Sequence, residues 1–146
     1  MTKRGTGLPG RLRIVGGEWR GRRLAVLDQP GLRPTPDRVR ETLFNWLAPL
    51  IIGARCLDLY AGSGALGFEA ASRGAGRVVM IEKLAKVVCL LHENRLLLNA
   101  RQVEVVHAEA GPWLAMADHA EPFDLVFLDP PFSKDLLGQS CAALTH

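Results

Sequence analysis

With 146 residues, 48% of them apolar and 23% charged, the chain is large enough for one domain with a buried core. The longest uncharged apolar stretch, 47–52, contains Pro49 and is far too short to span a bilayer, and no apolar segment follows Lys3 and Arg4 to form a signal peptide. The net charge of +3 hides an asymmetry: residues 1–40 hold ten Lys or Arg against three acids, and residues 41–146 hold eight against twelve. A basic arm on a mildly acidic body points to nucleic acid as the arm's partner.

Residues 1–10 carry three glycines and a proline and read as disordered. Leu12 to Val15 and Arg22 to Val26 then read as two short strands joined through Gly16-Gly17. Arg11, Arg13, Arg20, Arg22 and Arg23 gather on this hairpin, and Arg20, Arg22 and Arg23 are the candidate RNA contacts. Trp19, among them, either stacks on RNA or clamps the hairpin to the body. This arm, 1–34, is expected to precede the main domain, 35–146.

Thr35 is a plausible helix N-cap and Pro36 suits the first helical position. The helix that follows is expected to bury Val39, Leu43, Trp46 and Leu47. Arg38, Glu41, Thr42 and Asn45 form a polar stripe on another face, expected to line a site.

From Arg55 onward strands alternate with helices. Strands are expected at 55–60, 77–82, 103–107 and 123–128, and helices near 65–73, 84–98 and 109–117. This is the pattern of an α/β, Rossmann-like parallel sheet with helices on both faces. Its ligands bind at the carboxyl ends of the strands. An acid stands at or just past each strand: Asp58, Glu82, Glu109 and Asp129. Four acids on one sheet edge repel one another, so a cationic or hydroxyl-rich ligand is implied.

The loop after the first of these strands contains Gly62-x-Gly64-x-x-Gly67, the spacing of a nucleotide-binding turn. The spacing alone serves NAD, FAD and S-adenosylmethionine sites alike. Asp58 tips the balance, because a carboxylate beside the turn suits an ammonium group and would repel a pyrophosphate. Glu82 is placed to accept bonds from two ribose hydroxyls. Glu109, or the backbone at Ala110, is placed to meet an adenine amine, although an acid opening a helix is also favoured by the helix dipole. The candidate cofactor seat is Asp58, Ala61, Gly62, Ser63, Gly64, Glu82, Lys83, Glu109 and Ala110.

After the last apolar run come Asp129-Pro130-Pro131-Phe132. Proline stiffens the loop and leaves carbonyls free to accept hydrogen bonds, Asp129 adds a further acceptor, and Phe132 offers a face for stacking. The set suits a planar base with an exocyclic amine, and these four are the candidate catalytic residues. Cys56, Cys89 and Cys141 form no CxxC pair and the four histidines are scattered, which argues for reduced thiols in a cytosolic protein and no metal.

With these motifs in place the chain resembles class I S-adenosylmethionine-dependent methyltransferases. More closely, it is similar to the RsmD family of bacterial 16S ribosomal RNA guanine-N2 methyltransferases. The residues that carry the resemblance are 13–22, 31–35, 37–47, 57–67 and 129–132. Pro36 departs from the Thr or Ser expected there. The resemblance implies methyl transfer from S-adenosylmethionine to a guanine N2 of 16S ribosomal RNA, on small-subunit particles in the cytoplasm. It also implies that Arg38, Thr42 and Asn45 border the cleft. Adenine-N6 methylation of DNA or RNA, and an inactive RNA-binding remnant, are the alternatives. Only four sheet strands precede His146 where such folds have seven, so the fourth is expected as an open edge and the fold as C-terminally short.

Overall fold

A computed structural model describes residues 10–27, 36–116 and 122–130. The elements in chain order are β1 (Gly10–Arg13), β2 (Arg23–Val26), α1 (Asp37–Ile51), β3 (Arg55–Asp58), α2 (Ala65–Ser72), β4 (Arg77–Glu82), α3 (Ala85–Leu98), β5 (Val103–His107), α4 (Ala110–Met116) and β6 (Leu125–Phe127). β1 and β2 form an antiparallel ribbon, and the other four strands form a parallel sheet in the order β5-β4-β3-β6. This is the α/β sheet with a hairpin extension that the alternation predicted. β3 lies inside the sheet with β4 on one side and β6 on the other, so the strand order reverses there. In such sheets that reversal opens a crevice for ligands.

Alternation along the strands divides the core. Cys56, Val78 and Met80 face one side, where they pack with Phe44 of α1, Phe68 of α2 and Leu91 of α3. Leu57, Val79 and Ile81 face the other, against Ala110, Trp113 and Leu114 of α4. The hairpin's inward residues, Leu12, Ile14, Leu24 and Val26, belong to the first cluster, so ribbon and sheet share a core. Trp19 is buried in that cluster and its backbone N–H donates to Ser72 Oγ at 2.9 Å. Of its two readings, the clamp is the one the structure takes. Among the described residues no helix is long and apolar enough to cross a membrane.

α1 departs from expectation. Its buried residues are Arg40, Phe44 and Ile51, while Val39 and Trp46 are exposed and Leu43 and Leu47 half-buried. The inward face is turned by one residue because Arg40 is drawn inside. Its Nη1 donates to Arg13 O at 2.7 Å and to Glu69 Oε1 at 3.3 Å, and its Nη2 to Asp37 Oδ1 at 2.6 Å. The helix begins at Asp37 with Pro36 in the capping position, one residue later than read, and Thr35 lies outside the described residues. The first hairpin strand is two residues earlier than read, although Ile14 N–H still bonds Arg22 O at 2.9 Å.

Candidate functional site

The parallel register lines up the strand ends. Asp58 pairs in register with Met80 on one side and Phe127 on the other, and Glu82 pairs with His107. With the strand order, this ranks the acids Glu109, Glu82, Asp58 and Asp129 along one edge. Asp58 and Glu82 are buried, whereas Glu109 and Asp129 are exposed.

The glycine turn lies between β3 and α2. Gly62 and Gly64 adopt φ of 54° and 84°, the left-handed region that glycine enters without a steric penalty. A Cβ on Gly64 would lie 2.6 Å from the Phe68 ring and 2.9 Å from Leu91 Cδ2. A Cβ on Gly67 would lie 2.4 Å from Met80 Cε and 3.1 Å from Asp58 Oδ2, so α2 approaches the sheet closely only because that residue is glycine.

The two buried acids brace this turn. Asp58 Oδ2 accepts the Gly67 N–H at 3.0 Å. Glu82 Oε1 accepts the Gly62 N–H, and its Oε2 the Leu84 N–H, both at 3.0 Å. Burial pushes the Asp58 carboxyl up to about 7, and the neighbouring negative charges of Asp129 and Glu82 add to the rise. The Gly67 N–H opposes it. A buried acid in this state gains from a cation placed beside it. The rest of the seat follows the same loops. Ala61 and Ser63 are buried within the turn, Gly64 N–H bonds Ala61 O at 2.8 Å, and Ala65 N–H meets Ser63 Oγ at 3.3 Å. Lys83 is exposed beyond β4, and Ala110 is buried at the start of α4 beside exposed Glu109.

On the other side of β3, β6 delivers Asp129 and half-buried Pro130 to the same edge. Phe127 is held beneath them by the Phe44 ring, with centroids 5.7 Å apart. At the opposite end of β6, Arg55 N–H bonds Asp124 Oδ2 at 2.9 Å and Asp124 N–H bonds Arg55 O at 2.7 Å. Pro131 and Phe132 lie outside the described residues. Arg38, Thr42 and Asn45 are exposed on α1, spaced so that they share a face. Arg20, Arg22 and Arg23 are exposed on the hairpin.

Sequence reasoning overlooked Glu69 and Arg40. Glu69 is fully buried in α2. It accepts from Val15 N–H at 3.0 Å, Gly16 N–H at 2.9 Å, Arg40 Nη1 at 3.3 Å and Arg73 Nε at 2.8 Å. Removing one partner of such a buried pair typically costs about 3–5 kcal/mol. Ser72, one turn on, donates its hydroxyl to Gly16 O at 2.6 Å. Gly17 is seated so tightly that a Cβ would stand 2.0 Å from Ser72 O. One signal was available. Glu69 lies in a helix apolar on every side, and a charge in such a helix must be paired.

The family model described as "Conserved hypothetical protein 95" matches residues 12–146. The Ribosomal RNA small subunit methyltransferase D of Escherichia coli (strain K12) is 53% identical over 131 residues, which are 90% of this chain and 65% of that protein. The chain thus spans about two thirds of that relative's length. The protein of the same name from Haemophilus influenzae is 47% identical over 92% of this chain and 71% of its own length. The solved structure of the Escherichia coli protein yhhF superposes with a TM-score of 0.82 at 47% identity, covering 92% of this chain and 72% of that one. On the family model and these identities, the chain belongs to the ribosomal RNA small subunit methyltransferase D family.

Proposed function

We propose that the chain methylates the exocyclic N2 amine of a guanine in 16S ribosomal RNA, using S-adenosylmethionine, on small-subunit particles in the cytoplasm. The observation that carries this reading is the pairing across β3. A buried, cation-seeking Asp58 beside a glycine turn lies next to an exposed Asp129-Pro130 loop. The names of the relatives, which specify small-subunit ribosomal RNA, support the substrate class.

The residues fit the donor. Asp58 offers its carboxylate to an ammonium, and Gly62 and Gly64 take the left-handed backbone conformation that shapes the turn beside it. Glu82 keeps lone pairs for hydroxyls beyond the two N–H groups it already holds. When bound, S-adenosylmethionine supplies an electrophilic methyl group, so the difficulty lies with the base amine, whose lone pair is delocalised into the ring. The Asp129 carboxylate and the Pro130 carbonyl accept hydrogen bonds from that amine and fix its orientation. Asp129 also takes up the proton released as the amine is methylated. Phe132 stacks on the extruded base, an interaction worth about 1–3 kcal/mol against a flipping cost of a few. Arg38, Thr42 and Asn45 border the base, and the hairpin arginines bind phosphates.

The test is transfer of labelled methyl to undermethylated small ribosomal subunits, with mapping of the modified base. The label is expected on guanine N2. Label on adenine N6 would redirect the reading to the other amine, and RNA binding without label would leave an RNA-binding module.

A further inference from the structure

The hairpin register sorts its arginines. Leu12, Leu24 and Val26 point into the core, so Arg11, Arg13 and Arg23 share the opposite, exposed face of the ribbon. Arg13 stands directly across from Arg23. Like charges in that position destabilise a two-stranded ribbon unless something compensates them. Asp37 is the carboxylate that the described residues bring to this face, 3.1 Å from Arg13 Nε. It is shared with the buried Arg40 at 2.6 Å, so the compensation is partial. Arg20 and Arg22 differ in kind. Arg20 Nε donates to Val15 O at 3.3 Å and Arg22 Nη2 to Leu97 O at 3.4 Å, which ties them to the molecule's own backbone.

The ribbon is also held in place. Glu69 and Ser72 hold the loop after β1, and Asn94 Nδ2 of α3 donates to Ala25 O of β2 at 3.0 Å. α1 links it to the strand-end site. Asp37, which touches Arg13, opens the helix, and Phe44, which touches Phe127, lies seven residues on. Seven residues of helix rise about 10 Å.

We propose that Arg11, Arg13 and Arg23 form an RNA-phosphate surface, rigidly mounted relative to the base held by Asp129 and Pro130. The proposal rests on the functional reading above and deepens it. The only partly compensated Arg13–Arg23 pair is the feature that calls for anions. The clamp formed by Glu69, Ser72 and Asn94 sets where those anions lie.

The test compares the parent chain with R11A/R23A, R11K/R23K and R20A/R22A. It measures binding to a small-subunit ribosomal RNA transcript across a salt series, with binding of S-adenosylhomocysteine as a check on the fold. R11A/R23A is expected to lose at least about tenfold in RNA affinity at 0.1 M salt. Its salt slope should fall by about 1–2, at about 0.7–0.9 per lost phosphate contact. R11K/R23K should stay within about threefold of the parent, because lysine keeps the charge. R20A/R22A should lose less than R11A/R23A. Parent-like affinity and slope in R11A/R23A would overturn the proposal. So would a loss with unchanged slope that lysine fails to restore, which would make the arginines scaffold. A parent chain that binds the transcript but transfers no methyl group would refute the functional reading and leave this surface standing.

Discussion

The two sides of β3 are built on opposite plans. Toward β4, Asp58 and Glu82 are buried and already bonded to the backbone of the glycine turn. Toward β6, Asp129 is exposed at the end of a three-residue strand. The first side is shaped before any ligand arrives, with the Asp58 carboxyl held up by burial, a state that a cation beside it relieves. The second side is open, as the proposed reception of a base still attached to a polymer requires. A small donor tolerates a preformed seat, whereas a base in a folded RNA requires access.

The two sides can therefore be damaged separately. Asp129→Ala should lower the rate of methyl transfer by about 10²–10³-fold while S-adenosylhomocysteine affinity stays within about threefold, as read by label transfer and calorimetry. Equal losses in both would merge the two sides into one.

Asp58→Asn should do the converse and weaken the donor by about a hundredfold at pH 8, the scale of a partly screened charge pair. The same substitution sharpens the comparison through pH. An Asp58 carboxyl held up to about 7 is protonated below that pH, and donor binding needs it ionised. Parent affinity should therefore fall about tenfold per unit below pH 7 and level off above it, while the Asn variant stays flat. Because the folded-state value is raised, unliganded Asp58 favours folding at acid pH. That contribution is complete below the unfolded carboxyl's value of 3.8 and lost as pH rises through about 7. A thermal melt of the Asn variant should accordingly lie above the parent's at pH 8 and approach it at pH 4.

Gly64→Ala is the mildest break. A methyl group in the left-handed region against Phe68 and Leu91 should cost about 2–4 kcal/mol of stability and weaken the donor before it affects RNA binding. A melt and two binding titrations decide it.

What the sequence made legible depends on how far apart the interacting residues are. The parallel strands and the glycine turn are local patterns. β4 and β5 match their expected spans, Gly62 and Gly64 take the tight turn that their spacing implied, and Gly67 the close helix packing. Asp58 was placed correctly beside the turn because four residues separate it from Gly62. Its bond to the Gly67 N–H was not foreseen, since it depends on how the turn folds back. The inward face of α1 was misread for a different reason. Apolar spacing favoured Val39 and Trp46, but the observed rotation brings Arg40 to Glu69 together with Phe44 and Ile51 into the core. Nothing within a helix's length of Arg40 announces that partner. Trp19 shows the same limit, since only Ser72 and the core around it distinguish a clamp from a stacking platform.

The bonds from Val15, Gly16 and Trp19 to α2 also constrain the order of assembly. The hairpin leaves the ribosome first, yet its anchors Glu69 and Ser72 lie 53 or 54 residues downstream. Until α2 has been synthesised and packed on β3, the arginine ribbon has no fixed partner, and closing so long a loop is slow compared with forming the turn itself. The nascent chain thus carries its basic hairpin unanchored until α2 has emerged. The proposed RNA surface takes its fixed place only when the helix that follows the glycine turn is in place.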